Sequence, residues 1–491
     1  MSGYNVNYDV IVCGGGTSGV AAAIASARTG AKTLLVEKAG TLGGQMSVSG
    51  PPGFAYARLF NPQGKRDIGG IVEETYQRLL KNGHALPHLR YPVREKAGYS
   101  FSYVDPDMWT MLIFEMMEEE GVVLLLDTLV VDVTKDGDTV TGIVVENANG
   151  RNEIKGKIVI DCTGEGYVAA DAGCEMAYVS REDVQPHTLS FTVDGVDWDT
   201  LLTYIRNHPD QFSFKQLLCP YTDNTQEDVV NMYKKCYNPT ELGEIMGFYE
   251  LRDMAFKNGD WHPYSGAGFF LLPREGGRIQ AHFQHSSQMD KCLVTDAWDL
   301  TKCMIECRKQ DMIAWRFFKN YVPGFKNAYI TRVCNELRLR EGPRIVGDYV
   351  LTKDDVGECR QFSDTIGKSS FKSGGYHVVG METLNIVKVG NTNKDSDMRW
   401  PKDGGSYDIP YRCLVPKKIE NLLAAGKSVS TDRAAYLRYL HQTMVTGQAA
   451  GTAAGLCVKK GITPREMEKD VTELQKFLVD QGAILFECPI K

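Results

Sequence analysis

The sequence predicts an α/β protein built on a parallel sheet, and three observations carry that prediction. A β-branched apolar run, Asp9-Val10-Ile11-Val12-Cys13, leads straight into the glycine-rich turn Gly14-Gly15-Gly16-Thr17-Ser18-Gly19. An alanine-rich stretch from Val20 to Thr29 then reads as a helix stopped by Gly30, followed by a second short strand, Lys32 to Val36, ending on Glu37. Near the other end of the chain, Asn421 to Gly426 is again a buried-strand pattern, and the small-residue run Thr446-Gly447-Gln448-Ala449-Ala450-Gly451 is expected to open a helix.

The turn is G-x-G-x-x-G, and the physics of dinucleotide binding needs it in this order. Gly14 permits the tight turn, and Gly16 lets the backbone approach a pyrophosphate. Gly19 lets the helix pack closely on the strand, while Thr17 and Ser18 open the helix N-terminus that faces the phosphates. Glu37, 18 residues beyond Gly19, is placed to accept hydrogen bonds from a ribose. Strand, turn, helix, strand and terminal acid all fall in register for a Rossmann-like domain.

After the acid comes Lys38-Ala39-Gly40-Thr41-Leu42-Gly43-Gly44-Gln45-Met46-Ser47. This E-K-x4-G-G-x-x-S pattern resembles the flavoproteins of the glutathione-reductase-like and fumarate-reductase-like superfamily. The strand Lys157–Cys162 and the turn Thr163-Gly164-Glu165-Gly166 resemble the stretch where those chains return to the dinucleotide. Further along, Arg344-Ile345-Val346-Gly347-Asp348-Tyr349, the I-P-Y-R-C-L-V-P run from Ile409 and T-G-Q-A-A-G-T-A-A from Thr446 occur in order. Together these motifs are similar to the FAD-dependent oxidoreductase family related to fumarate reductase and succinate dehydrogenase flavoproteins. The resemblance implies FAD contacts from Gly14, Gly16, Thr17, Ser18, Gly19, Glu37, Lys38, Gly43, Gly44, Gln45, Val131, Thr163, Gly164, Gly426, Gln448, Ala449 and Gly451. Gln45 stands where succinate dehydrogenases carry the histidine that attaches flavin, so the implied FAD is non-covalent. The segment Arg340-Glu341-Gly342-Pro343-Arg344 departs from the family's R-E-S-R-R.

The rest of the chain suggests a division of labour. A helix over Asp105–Glu120 and a hairpin-rich set of strands between Val122 and Ile160 read as the antiparallel layer inserted in such folds. From about Glu175 the pattern becomes irregular and aromatic-rich, with strands at His187–Val193 and Phe269–Leu272 and a helix at Ala297–Tyr321. The expected organisation is a discontinuous FAD-binding domain over 1–174 and 405–491, interrupted by an α+β substrate domain over 175–404.

Two-electron chemistry on flavin needs a group to exchange a proton and often a cation for a substrate carboxylate or oxyanion. Arg438 is the candidate anion clamp, with His377 or His441 as acid–base and Tyr436 beside them. On a helix, Tyr436 and Tyr439 would share a face, as would Arg438 and His441. A structural hydrogen bond or a subunit contact is the competing role for each. Of His282 and His285, at most one is expected to be catalytic.

Composition limits the remaining classes. A net charge of −7 argues against nucleic acid. The 13 cysteines are scattered, so neither a metal cluster nor a redox pair is expected, and a reducing, cytoplasmic setting fits. No second G-x-G-x-x-G is present for a nicotinamide cofactor, so the electron donor or acceptor is left unnamed. No apolar run is long enough to span a membrane. The expected partners are a small-molecule substrate and, as an option, further copies of the chain. An electron-relay or sensor protein without turnover is the alternative reading.

Overall fold

The computed structural model describes residues 6–50, 56, 59–90, 100–213, 225–373 and 399–486. Its first layer begins with β1 (Tyr8–Cys13), α1 (Thr17–Arg28) and β2 (Thr33–Val36), close to the bounds the apolar periodicity predicts. After α2 (Gly70–Lys81) and α3 (Pro106–Glu119) come β3 (Val123–Leu125), β4 (Leu129–Asp136), β5 (Thr139–Asn147) and β6 (Gly150–Asp161). Asp105 starts α3 because its carboxylate accepts from the Asp107 and Met108 amides, and Pro106 has no amide to lose there.

The long strand β6 joins two kinds of sheet. Its first half pairs antiparallel with β5, and its second half runs parallel to β1. The strand order is therefore β3-β2-β1-β6-β5-β4. A seventh strand from far along the chain, Leu422–Ala424, lies parallel to the end of β6.

Between these parts lies a second, wholly antiparallel sheet of six strands. In chain order they are β7 (Phe191–Asp194), β8 (Phe212–Ser213), β9 (Glu244–Gly247), β10 (Gly268–Pro273), β11 (Ile279–Phe283) and β12 (Tyr329–Val333), in spatial order β8-β9-β10-β11-β7-β12. The helix α4 (Ala297–Tyr321) has the bounds its periodicity predicts. It brings Phe317 and Phe318 onto one sheet face, where Phe191, Phe269, Phe283 and Phe325 complete an aromatic core. The strand expected over His187–Val193 is shorter: it begins at Phe191, and His187 and Thr188 make only single bridges, to Met289 and Arg338. Residues expected in the middle region also pack elsewhere, since Leu351, Val356 and Ile366 join the first core and Thr365–Ser369 pairs with Tyr407–Pro410.

The last long helix, α5 (Leu440–Lys460), corrects the expectation that Thr446 opens it. It starts six residues earlier, and the glycines lie in its interior. They stay helical because they abut α1. A Cβ on Gly447, Gly451 or Gly455 would stand 2.1, 2.0 and 1.9 Å from Ser18 O, Ala22 O and Thr29 Oγ1. Glycine's cost in a helix is offset here by a backbone approach no other residue allows. Among the described residues, no helix is long and apolar enough to cross a membrane.

Candidate functional site

The predicted dinucleotide residues converge on the N-terminus of α1. Gly14 has φ +102°, and a Cβ there would meet Cys162 O at 2.6 Å, so the first turn lies directly against the return segment. A Cβ on Gly19 would stand 1.8 Å from Gly14 O, which is why strand and helix can turn so tightly. Gly16 caps α1 with no side chain, leaving the first amides of the helix to whatever anion approaches. Glu37 is buried and accepts from the Gly15 amide at 2.5 Å and the Ala39 amide at 2.9 Å. The second glycine pair leans on the first, with the Gly43 amide donating to Gly15 O at 2.7 Å and a Cβ on Gly44 reaching Gly16 Cα at 3.1 Å.

Other predicted contacts fall around this cradle. Thr17 Oγ1 and Thr443 Oγ1 are 2.7 Å apart, tying α1 to the first turn of α5. Gly426 lies on Ser18, and its amide donates to Thr446 Oγ1 at 3.0 Å. Asp161 holds the Thr163 amide and hydroxyl at 3.0 and 2.7 Å, presenting Gly164 beside the half-buried Lys427–Glu165 pair. Val131 is the residue passed over where the β4–β5 register shifts between Val130 and Asp132. Lys38 pairs with Glu336 at 3.2 Å, and Gln45 donates to Ser49 Oγ at 3.3 Å. Two residues lie differently. Gln448 turns away from the glycine loop and accepts from the Ile71 amide at 3.0 Å, capping α2, while Ala449 is buried in the helix packing.

The predicted catalytic group is only partly assembled. His377 lies outside the described residues. Residues 436–439 are not helical, so the expected sharing of faces with His441 does not occur. Tyr436 is buried and its oxygen accepts from the Gly342 amide at 3.1 Å, with the Arg344 guanidinium over its ring. His441 is fully buried in ring contact with Phe371 and Tyr439. Arg438 is half-buried, donates to Gln185 Oε1 at 2.9 Å and lies over the Tyr439 ring.

Beside Arg438 stand two arginines that the sequence reading passed over. Arg338 donates to Gly50 O at 2.5 Å, and Arg340 donates to Pro186 O and to His285 Nδ1, the latter at 3.1 Å. Among the described residues, neither makes an ion pair with a carboxylate. Burial first, then the charge of Arg438, pulls Arg338 down to about 10 and holds Arg340 well below its ordinary value. A guanidinium stays charged in a protein, so both side chains carry their positive charge without a carboxylate beside them among the described residues.

The histidines divide by environment. His187 Nε2 lies 3.0 Å from Cys292 O and its Nδ1 accepts from the Arg340 amide at 3.3 Å, so the ring is neutral with its proton on Nε2. Burial, reinforced by Lys427 and Arg340, pulls its imidazole down to about 3. His282 Nδ1 bonds Thr192 Oγ1 at 3.0 Å on the sheet face opposite the aromatic core. His285 is half-buried between two N–H donors, with the Arg340 guanidinium 3.1 Å from its Nδ1 and the Gln284 amide nitrogen 3.0 Å from its Nε2. The one signal for Arg338 and Arg340 was their alternate spacing in an extended run, which carries no periodic pattern of its own.

A glycine-rich strand–helix cradle over a parallel sheet, joined by a distant strand and facing an antiparallel sheet, defines a dinucleotide-binding protein of the flavoprotein type. The chain matches the FAD dependent oxidoreductase family over residues 9–478 and belongs to it. FAD is its cofactor, and the cradle fits that group: uncapped α1 amides for a pyrophosphate, Glu37 for a ribose, and paired glycine turns that any side chain would obstruct.

Relatives set the chain among diverse redox proteins. It is 27% identical over 184 residues to a digeranylgeranylglycerophospholipid reductase of Picrophilus torridus, covering 36% of this chain and 45% of that one. It is 28% identical over 200 residues to an NADH:fumarate oxidoreductase of Klebsiella pneumoniae, covering 34% and 21%. The chain thus spans less than half the length of these curated relatives. A geranylgeranyl bacteriochlorophyll reductase-like structure from Thermoplasma acidophilum is similar at TM-score 0.45 and 13% identity, covering 97% of this chain and 84% of that one.

Proposed function

We propose that the protein oxidises or reduces a small anionic organic molecule by two-electron transfer with non-covalently held FAD. The observation that carries this reading is the group Arg338, Arg340 and Arg438, of which Arg340 is buried and Arg338 half-buried, both without a carboxylate partner among the described residues. The cofactor contacts are those expected from the sequence, except that Gln448 and Ala449 act through helix packing. The cofactor unit comprises 1–174 and 405–491, with the substrate unit inserted between them and residues 351–369 joined to the cofactor unit's core. All described cysteines are free thiols, which suits a reducing, cytoplasmic setting.

Bound FAD supplies the capacity to accept or deliver a hydride. The chain's residues do the rest. Arg438 and Arg340 grip the carboxylate or oxyanion of the substrate, a bidentate contact lysine cannot reproduce. His285, next to Arg340, exchanges a proton with the reacting oxygen or nitrogen, taking the acid–base role first sought at His377 and His441. Tyr436 positions the Gly342 turn rather than touching substrate.

The test is a screen of small carboxylates under anaerobic conditions, following flavin absorbance near ~450 nm, where bound flavin bleaches on reduction. Bleaching by an anionic compound, or spectral perturbation by an anionic non-substrate, is expected. Reduction by neutral compounds alone would overturn the anionic reading.

A further inference from the structure

The same site carries a second chemical feature, a row of buried hydroxyls with no partner. Leu189 packs with Cys303 and Cys307 under α4. Successive residues of an extended chain point to opposite sides, so Thr188 and Ser190 face the other way, toward the side of Thr192 and His282. That side faces the cofactor loop. A Cβ on Gly50 would strike His282 Cε1 at 2.9 Å and Cys334 Sγ at 2.7 Å, and Arg338 donates to Gly50 O. Thr188 O accepts from the Arg338 amide at 2.7 Å, and Ser190 O accepts from the Cys334 amide at 2.9 Å. Ser286 stands between Ser287, whose hydroxyl accepts from the Leu189 amide at 3.1 Å, and His285, which meets Arg340.

Thr188 Oγ1, Ser190 Oγ and Ser286 Oγ are all buried and without a hydrogen-bond partner. Buried hydroxyls are ordinarily paired, because leaving one unpaired forfeits its hydration for nothing in return. Three beside a guanidinium group are therefore matched to a ligand or to water that a ligand displaces. We infer that, resting on the anionic reading above, the substrate is a polyhydroxy carboxylate whose hydroxyls bond Thr188, Ser190 and Ser286 while its carboxylate meets the arginines. A site that hydrogen-bonds a hydroxyl discriminates strongly against an analogue lacking it, since its own groups are then left unpaired.

The experiment compares two six-carbon acids of equal charge, D-gluconate and hexanoate, titrated into the FAD-loaded full chain while flavin absorbance is followed. Gluconate is expected to half-saturate at a concentration at least roughly tenfold lower than hexanoate. Ser190→Ala should weaken gluconate toward the hexanoate value while leaving hexanoate binding and flavin content unchanged, and Thr188→Val should add to that effect. Where the valine variant does not fold, the alanine variant alone decides. Hexanoate binding as tightly as gluconate, or an unchanged ratio in Ser190→Ala, would overturn the hydroxyl inference and leave the anionic reading standing. Silence toward both acids would overturn the two together.

Discussion

The two sheets of this protein solve opposite packing problems. The parallel sheet is closed in by small residues, with α5 against the α1 backbone at Gly447 and Gly451 and against the Thr29 side chain at Gly455. The antiparallel sheet has an aromatic face sealed by α4 and an opposite face where Thr192 and His282 are buried with arginines nearby. Close approach in the first serves a cofactor whose phosphates need bare backbone. Buried polarity in the second suits, on the function proposed above, a ligand gripped by side chains. Substitutions should therefore break the first region by volume and the second by chemistry.

The largest effect is expected at the cradle. In Gly19→Ala the new methyl collides with the Gly14 carbonyl, backbone against backbone, and about 4 kcal/mol or more of stability should be lost. Flavin content and melting temperature of the purified variant check this, and a folded, yellow alanine variant would remove the close-approach argument.

On the antiparallel sheet, Phe283→Ala should cost about 3–5 kcal/mol of stability, since Phe283 stacks on Phe191 at 4.5 Å within the aromatic core. His285→Gln, on the polar side, should instead leave the melting temperature within a few degrees and lower turnover by about 10²–10⁴-fold. It should also remove one limb of the pH–rate profile. Denaturation and kinetics on the two variants together separate the faces.

A smaller effect concerns Asp311, 4% exposed on α4, whose carboxyl burial pushes up to about 7. The folded value lies above the unfolded one, so its contribution to stability is full below about pH 4 and is lost as pH rises through about 7. Asp311→Asn lacks this dependence. Wild type should therefore lose about 2–3 kcal/mol relative to the variant between pH 5 and 8, read from denaturant melts. Parallel pH curves for the two proteins would show that Asp311 ionises normally.

The contrast between regions also explains what was legible in the sequence. The β1–α1–β2 unit and α4 were readable because each is set by local periodicity and turn chemistry. The start of α5 was not, because a glycine run reads as a turn unless the α1 backbone lying against it is known. Gln448 was assigned to the cofactor for the same reason, whereas its side chain faces α2. Arg338 and Arg340 could not be singled out, since what marks them is missing carboxylates in three dimensions rather than any pattern along the chain. Arg438 was singled out from its position between two expected cofactor segments and stays a proposal, although the helix assumed for it is absent.

The central claim is that cofactor and anion are held by different residues, and Arg438→Lys tests it most directly. On one preparation, flavin content, melting temperature and single-turnover flavin reduction by an anionic substrate from the screen would be measured together. Full FAD content, an unchanged melting temperature and reduction slowed by roughly tenfold to a thousandfold are expected, equivalent to about 1.4–4 kcal/mol of lost transition-state stabilisation. An FAD-loaded lysine variant with an unchanged reduction rate, or one that loses its flavin, would contradict it.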